Sequence, residues 1–339
     1  MVLSDRPKSA PATADRGRRL ALGACVGAPL LAAAVLAGRR VRASLVGVGA
    51  LADGRVDVSI GGGFPRVLHG SAGETWTLPR PPRRIVSTYL AADEILAALV
   101  SPERLAAVST FADDPAISSV AGFYPRALPR VRGEVEAILA LEPDLICVAG
   151  YSDADAMRLA VGAGLPILRW SRFETFADVL GNVRTIGAAV GAEALAKGVA
   201  DDAEAKLAAL AVRLAGVAPV RVLYLDLPNF TAGRDTLIDE MLTRAGGLNV
   251  AAAAGIAGAG QIAVESALAL DAEAIVVATA PGGRPPLDEL RATPLWREMP
   301  AVRAGRVFSI PAALPGDVSQ RAADAPAAIA RQLHPERWG

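Results

Sequence analysis

From Arg83 onward, short apolar runs alternate with stretches whose apolar residues recur at helical spacing, a pattern that predicts a βα rhythm. Arg84 to Ser87 reads as a strand. Ala91 to Val100 reads as a helix whose first turn carries Asp93 and Glu94, the acidic end that a helix dipole favours. Leu105 to Ser109 is a second strand, followed by a helix from Glu134 and a strand from Leu145. A helix over Ala154–Ala163 stops at Gly164, and Pro166 to Trp170 is another strand. The texture then changes. Phe176 to Val190 sets Val179, Val183, Ile186 and Val190 on one helical face, and Leu207, Leu210 and Leu214 continue the spacing. Gly191 interrupts it, leaving two helices or one kinked helix, and no strand fits between Thr175 and Val217. The βα units resume with a strand at Arg221–Leu227, a helix at Asp235–Arg244 ended by Gly246-Gly247, a strand at Gly305–Pro311 and a last helix to His334. The fold class this predicts is α/β, two similar lobes joined by a long helical backbone with a ligand cleft between them.

Two stretches nearly repeat. VEAILALEPDLICVA runs from Val135 to Ala149, and VESALALDAEAIVVA from Val264 to Ala278. Each reads as a short amphipathic helix, a turn around Pro143-Asp144 or Ala272-Glu273, and a buried strand. The elements before them also match: Arg84-Ile85-Val86 then Asp93-Glu94-Ile95-Leu96 answers to Arg221-Val222-Leu223 then Asp239-Glu240-Met241-Leu242. The order of elements is therefore duplicated along with the letters.

The ends of the chain set the boundaries. Leu20 to Gly38 carries no charge and follows Arg16, Arg18 and Arg19, which reads as an export signal or a membrane anchor. Arg18-Arg19 hints at a twin-arginine signal, and Val41-Arg42-Ala43 offers a cleavage site. The division expected is residues 1–43 as leader, 44–82 as a Gly- and Pro-rich, hairpin-like lead-in, 83–173 as the N-terminal lobe, 174–216 as the helical linker and 217–339 as the C-terminal lobe. With 35 basic and 35 acidic residues the chain is formally neutral, which argues against a nucleic-acid partner. Cys147 sits in a buried run and Cys25 in the leader, so no disulfide is expected in the folded part. His69 and His334 are the two histidines, too few for a His-rich metal cage or a His-based triad.

Two α/β lobes on a helical strut leave a cleft, and ligands of open α/β sheets meet the carboxyl ends of strands. Those ends carry Thr88, Tyr89, Phe111, Tyr151, Trp170, Arg172, Phe230 and Pro311, so much of a small aromatic stock collects there. Trp170 and Phe230 fit a core as well as a pocket; Tyr89 and Tyr151, beside small or polar residues, lean towards the pocket. Arg172, Arg234 and Arg321 are candidates for bidentate contacts with an anionic ligand.

From Arg83 to the C-terminus the chain resembles the substrate-binding proteins of ABC importers for iron–siderophore, haem and vitamin B12. The residues that carry this are LPRPPRRIVS (Leu78–Ser87), VEAILALEPDLI (Val135–Ile146), FTAGRDTLIDEMLTRAGGLNVA (Phe230–Ala251), VESALALDAEAIVVA (Val264–Ala278) and LWREMPAVRAGRVFSI (Leu295–Ile310). The resemblance implies a rigid helical backbone between the lobes and an acidic residue on each lobe that docks on arginines of a two-fold permease. At the matching positions stand Glu136 and Glu265, the same letter in both copies of the repeat. It also implies a periplasmic or extracytoplasmic monomer, membrane-associated through its leader or its permease. The partners are then a permease dimer with its ATPase and a metal chelate, and no resident cofactor or catalytic residue is expected.

The chain departs from the vitamin B12 binders, which carry a tryptophan where Val131-Arg132-Gly133-Glu134 has none. Ala259-Gly260-Gln261 likewise stands where an aromatic is common. A chelated metal, as iron–siderophore or haem, therefore leads, with a corrinoid second and bare zinc or manganese disfavoured. Tyr89 or Tyr151 is a possible haem ligand. Two other classes stay open: a membrane-anchored sensor or scaffold that reuses the fold, and an enzyme with its site in the cleft. Against the enzyme, GxSxG, HExxH and a Walker loop are absent, and Gly255–Gly260 follows no predicted strand. Asp113-Asp114 reads as a loop turn before Pro115 rather than an acid–base pair.

Overall fold

The computed structural model describes residues 57–59, 63–69, 75–149, 164–170 and 172–339. The leader with Cys25, Tyr151 and the helix expected at Ala154–Ala163 lie outside the described residues. The lead-in is a three-stranded antiparallel sheet of β1 (Asp57–Ser59), β2 (Arg66–His69) and β3 (Thr75–Leu78). The hairpin-like reading missed β2 because a buried arginine heads it. Arg66 pairs with Glu193, donates to the Ala188 carbonyl, and lies 4.4 Å over the Phe64 ring. The lead-in is thereby fastened to the helical linker.

The first lobe comprises β4 (Ile85–Ser87), α1 (Leu90–Leu99), β5 (Leu105–Ser109), β6 (Arg130–Val131), α2 (Val135–Ala140), β7 (Leu145–Ala149) and β8 (Ile167–Trp170). Its strands form one parallel sheet in the order β6–β5–β4–β7–β8. Parallel sheets bury both faces, and β7 shows the consequence, being apolar at every position. Leu145, Cys147 and Ala149 face the core shared with α1, while Ile146 and Val148 face the core that holds Ile138 of α2. Burial pushes the Cys147 thiol up, leaving an inert apolar filler.

Two helices follow, α3 (Phe176–Val190) and α4 (Glu193–Arg213). Thr175 caps α3 by accepting the Asp178 amide, in a reciprocal capping box. Gly191, at φ +75°, ends it in the left-handed conformation that glycine adopts freely. The interruption at Gly191 thus makes two helices in a tight hairpin. Arg184 of α3 meets Glu204 of α4 at 2.5 Å across it.

The second lobe comprises β9 (Val220–Leu225), β10 (Phe230–Ala232), α5 (Leu237–Arg244), β11 (Gly247–Asn249), α6 (Val250–Ala253) and β12 (Ala259–Gln261). It continues with α7 (Val264–Leu268), β13 (Ala274–Thr279), α8 (Pro286–Ala292), α9 (Pro300–Arg303), β14 (Val307–Pro311) and α10 (Ala325–Leu333). Its parallel sheet has the order β11–β9–β13–β14, matching β5–β4–β7–β8 of the first. Strand β9 ends at Leu225, short of the expected Leu227, because Asp226 exchanges backbone hydrogen bonds with Phe230 at 2.8 Å and turns the chain back. The Gly255–Gly260 stretch runs into β12, which pairs antiparallel with β10. Three-residue strands leave no periodic signal.

The repeat is structural to the level of single hydrogen bonds. Arg84 donates from Nε to the carbonyls of Leu141 and Glu142, and Arg221 donates from its guanidinium to those of Leu270 and Asp271. The Arg84 amide donates to Asp144 at 2.8 Å and the Arg221 amide to Glu273 at 3.1 Å. Glu142 and Asp271, equivalent in the two copies, both take positive φ, +46° and +49°. Each turn thus leaves its helix by the same kink and is held by an arginine at the head of the neighbouring strand.

The hairpin belongs to both cores. Phe176, Val179 and Leu180 pack in the core of the second lobe, whereas Val183, Ile186 and Val190 pack in that of the first. Helix α4 returns, with Ala196 in the first core and Ala203, Leu207 and Leu210 in the second. Where the two helices cross, a Cβ on Gly187 would run into the Ala196 side chain. Gly187→Leu should therefore cost ~2–3 kcal/mol by overpacking. Gly198→Ala in α4, where an added Cβ meets nothing within 4 Å, should gain ~0.5–1 kcal/mol. Urea unfolding of the two variants checks the pair; a Gly187→Leu protein as stable as the parent would refute the close crossing.

Candidate functional site

The connections leaving the carboxyl ends of both parallel sheets carry the candidate residues. In the first lobe the Thr88 amide and hydroxyl both donate to the Cys147 carbonyl, at 3.0 and 3.3 Å, closing the β4 and β7 ends together. Tyr89 is 5% exposed and lies in the core, its ring centroid 5.8 Å from that of Trp170, which is also buried. The structure thus corrects the leaning of Tyr89 towards an open pocket: as the residue before α1, its ring turns inward under the sheet edge. Trp170, which fitted both readings, is core. Phe111 is half-buried on the turn Thr110–Asp113 that leaves β5. Asp113 holds Arg130 at 2.8 Å and Asp114 accepts the Ala116 amide, so this acidic pair organises a loop, as expected.

Around the start of α1 lies a set of buried acids that sequence reasoning read only as dipole-satisfying. Asp93 takes the Ser109 amide at 3.2 Å and its hydroxyl at 2.5 Å, and the Tyr124 hydroxyl donates to the Asp93 carbonyl. Burial pushes the Asp93 carboxyl up to about 7 against these hydrogen bonds. The second lobe repeats the device more openly. Asp239 of α5 accepts from Asn249 at the end of β11, at 2.9 Å, and burial raises its carboxyl too. Serine at Ser109 and asparagine at Asn249, each at the end of an equivalent strand, were the available sequence signal.

The second lobe presents Phe230 half-buried and Arg234 exposed on the connection from β9 to α5. Arg234 lies 3.6 Å from Asp235. Arg172, just after β8, is partly exposed and reaches Asp178 at 3.4 Å. Arg321 is exposed on the short turn Gln320–Asp324 that precedes α10. Three guanidinium groups therefore stand on connections that leave β8, β9 and β14. Phe123, 49% exposed on the β5–β6 connection and edge-on to Tyr124 at 5.0 Å, is a solvent-facing aromatic that the sequence reading passed over. An apolar residue without a periodic partner gave it no signal.

Glu136 and Glu265 occupy the same place in their lobes. Each is the second residue of its short helix, α2 or α7, and each is exposed. Helices in such units run back against their strands, so both first turns lie at the carboxyl edge of the sheet. By contrast, a surface groove lined by Val217, Val220, Arg306 and His334 lies at the amino ends of β9 and β14, the opposite edge. Among the described residues no group of three or more His, Cys, Asp or Glu is placed to hold a metal ion. No described helix is long and apolar enough to cross a membrane.

Comparison with known proteins gives the architecture its context. The chain is 26% identical over 290 residues to the uncharacterized ABC transporter substrate-binding lipoprotein YvrC of Bacillus subtilis, covering 81% of this chain and 87% of that one. Among solved structures it is similar to the periplasmic heme-binding protein RhuT of Roseiflexus, at 25% identity and a TM-score of 0.62, covering 74% of this chain and 98% of that one. The molybdate-binding protein MolA of Haemophilus influenzae shares the fold at 20% identity and a TM-score of 0.67, with 78% and 90% covered. A family model for periplasmic binding proteins matches residues 85–314, a span that takes in both parallel sheets and the helical hairpin, and the chain belongs to that family.

Proposed function

We propose that this chain is the extracytoplasmic substrate-binding component of an ABC importer. It captures a chelated metal compound, an iron–siderophore or haem, with a corrinoid as second choice, between its lobes. The observation that carries the reading is the matched pair Glu136 and Glu265, exposed at equivalent positions of two lobes that share a strand order and equivalent arginine-held turns. A two-fold permease offers two equivalent basic pockets, and matched acids on pseudo-symmetric lobes suit such a partner. Charges at a docking rim steer encounter and set register more than they add affinity. YvrC, a substrate-binding lipoprotein by name, supports the transporter role. RhuT, which binds haem, supports the cargo class.

In this reading residues 1–43 export or anchor the protein, and 44–82 and 174–216 serve as lead-in and strut for lobes at 83–173 and 217–339. The hairpin resists hinge bending, so cargo binds with little closure, and the permease itself draws the lobes apart. Arg172, Arg234 and Arg321 supply positive charge for an anionic chelate, and Thr88, Phe111, Phe230 and Tyr151 are the other candidate cargo contacts. Tyr89 and Trp170 act from behind, as the packed wall under the β4 and β8 ends. Glu136 and Glu265 dock.

Tryptophan fluorescence of the purified protein, titrated with haem, several ferric siderophores and cobalamin, should show saturable quenching by one class. Silence towards all three would transfer the weight to the sensor or enzyme readings. Glu136→Arg and Glu265→Arg should each lower cargo uptake by about tenfold or more, the factor that corresponds to ~1.4 kcal/mol of docking energy. Cargo affinity should stay within about twofold, since rim charges act on the partner. A loss of affinity equal to the loss of uptake would sink the docking assignment.

A further inference from the structure

A buried contact between the lobes has no part in cargo binding or docking as described above. Glu94, in α1 of the first lobe, is 2% exposed, and Asp317, on the segment that follows β14 in the second, is 5% exposed. Glu94 Oε1 takes the Ser119 amide at 2.8 Å and the Ser119 hydroxyl at 2.5 Å. Its Oε2 is buried and meets no donor among the described residues. The Asp317 carboxyl comes within hydrogen-bonding reach of Glu94. Asp317 Oδ1 takes the Ser319 amide at 2.6 Å, and Gln320 Nε2 of the same segment donates to the Glu94 carbonyl at 3.2 Å. Two ionised carboxylates are acceptors only, so a bond between them needs a proton on one. Leaving Glu94 Oε2 without a donor would cost the desolvation of a buried charge.

We propose that Glu94 and Asp317 share one proton across Glu94 Oε2, and that this bond latches the segment after β14 onto α1 and so one lobe onto the other. The surroundings favour a shared proton. Each acid takes two donors from a nearby serine, Ser119 for Glu94 and Ser319 for Asp317, and neither has a donor to spare for the other. Burial and the facing Glu94 charge push the Asp317 carboxyl well above its ordinary value. Within α1 the adjacent acid is Asp93, itself buried and bonded to Ser109. From the β5–β6 connection comes Tyr124, whose phenol burial pushes up. From the turn before α10 come Arg321, which is exposed, and Asp324, which is engaged with Lys206 of α4 at 3.0 Å. Arg184 of α3 is taken up by Glu204. The charge that acts on both Asp317 and Asp93 is that of Glu94.

The sign follows from linkage. A carboxyl whose folded-state pKa is raised keeps a proton that the unfolded chain releases above about pH 4. Its contribution is full at low pH and is lost as pH rises through the raised folded-state value. Above it, two buried anions face each other across the seam and the latch opens. This holds whatever the cargo is, so it can fail without touching the transport reading.

Asp317→Asn in the full chain keeps an acceptor for the Ser319 amide and offers Glu94 a permanent N–H donor. Parent and variant should melt together at pH 5, and at pH 9 the variant should melt higher by about 3 °C. Glu94→Gln should flatten the profile likewise, and the double variant should add nothing further, since both remove one shared proton. Infrared spectra in an Asp93→Asn background should show a protonated-carboxyl band at pH 7 that Asp317→Asn abolishes. A Tm lowered equally at both pH values, additive single effects, or a band indifferent to Asp317 would each overturn the latch.

Discussion

The α3–α4 hairpin sits in two hydrophobic cores at once, and the relation between the lobes depends on that. A single connecting strand of chain could bend at one residue. Here each helix begins in one core and ends in the other, with Phe176 and Val190 at opposite ends of α3 and Ala196 and Leu210 towards opposite ends of α4. Bending the joint would break apolar contacts in both lobes together. The close crossing at Gly187 and Ala196 and the Arg184–Glu204 bridge leave little room for the helices to slide. Arg66 then ties the lead-in sheet to the turn of the same hairpin through Glu193 and Ala188.

On this fixed joint the lobes are variations on one unit. Their sheets share an order, their pairing registers match at Ile85 with Leu145 and Val222 with Ala274, and Arg84 and Arg221 hold equivalent turns. Such duplication places Glu136 and Glu265 identically as a by-product of architecture. A protein that must present matched charges to a symmetric partner needs nothing more elaborate than two copies of one helix start.

Much of this was legible in the letters because it rests on local, periodic signals. Buried parallel strands such as Leu145–Ala149 announce themselves as apolar runs, and the helices by spacing. Glycine at 191 marked the break in the linker, and the repeat at Val135 and Val264 marked the duplication. What escaped was set by tertiary context. Strand β2 begins with an arginine whose burial is explained by Glu193 and the Ala188 carbonyl, more than a hundred residues away. The β10–β12 pair is too short to show a period. Tyr89 looked pocket-facing beside Thr88, yet its ring is claimed by Trp170 from another strand. Asp317 carried no signal, because a lone aspartate in a loop looks solvated until Glu94 is placed against it.

The lobes repeat, but their seam does not. In the first lobe the acid after Asp93 is Glu94, and it faces Asp317; in the second the corresponding Glu240 accepts the Phe176 amide at 2.6 Å at the start of α3 and pairs with Arg244. One copy of the same helical acid therefore anchors the strut, and the other meets the opposite lobe. Duplication supplied both glutamates in equivalent positions, and the single passage of the hairpin between the lobes forced them into different work. Pseudo-symmetry is thus kept at the carboxyl edge, where Glu136 and Glu265 stand exposed, and given up at the joint, where one chain can run only one way.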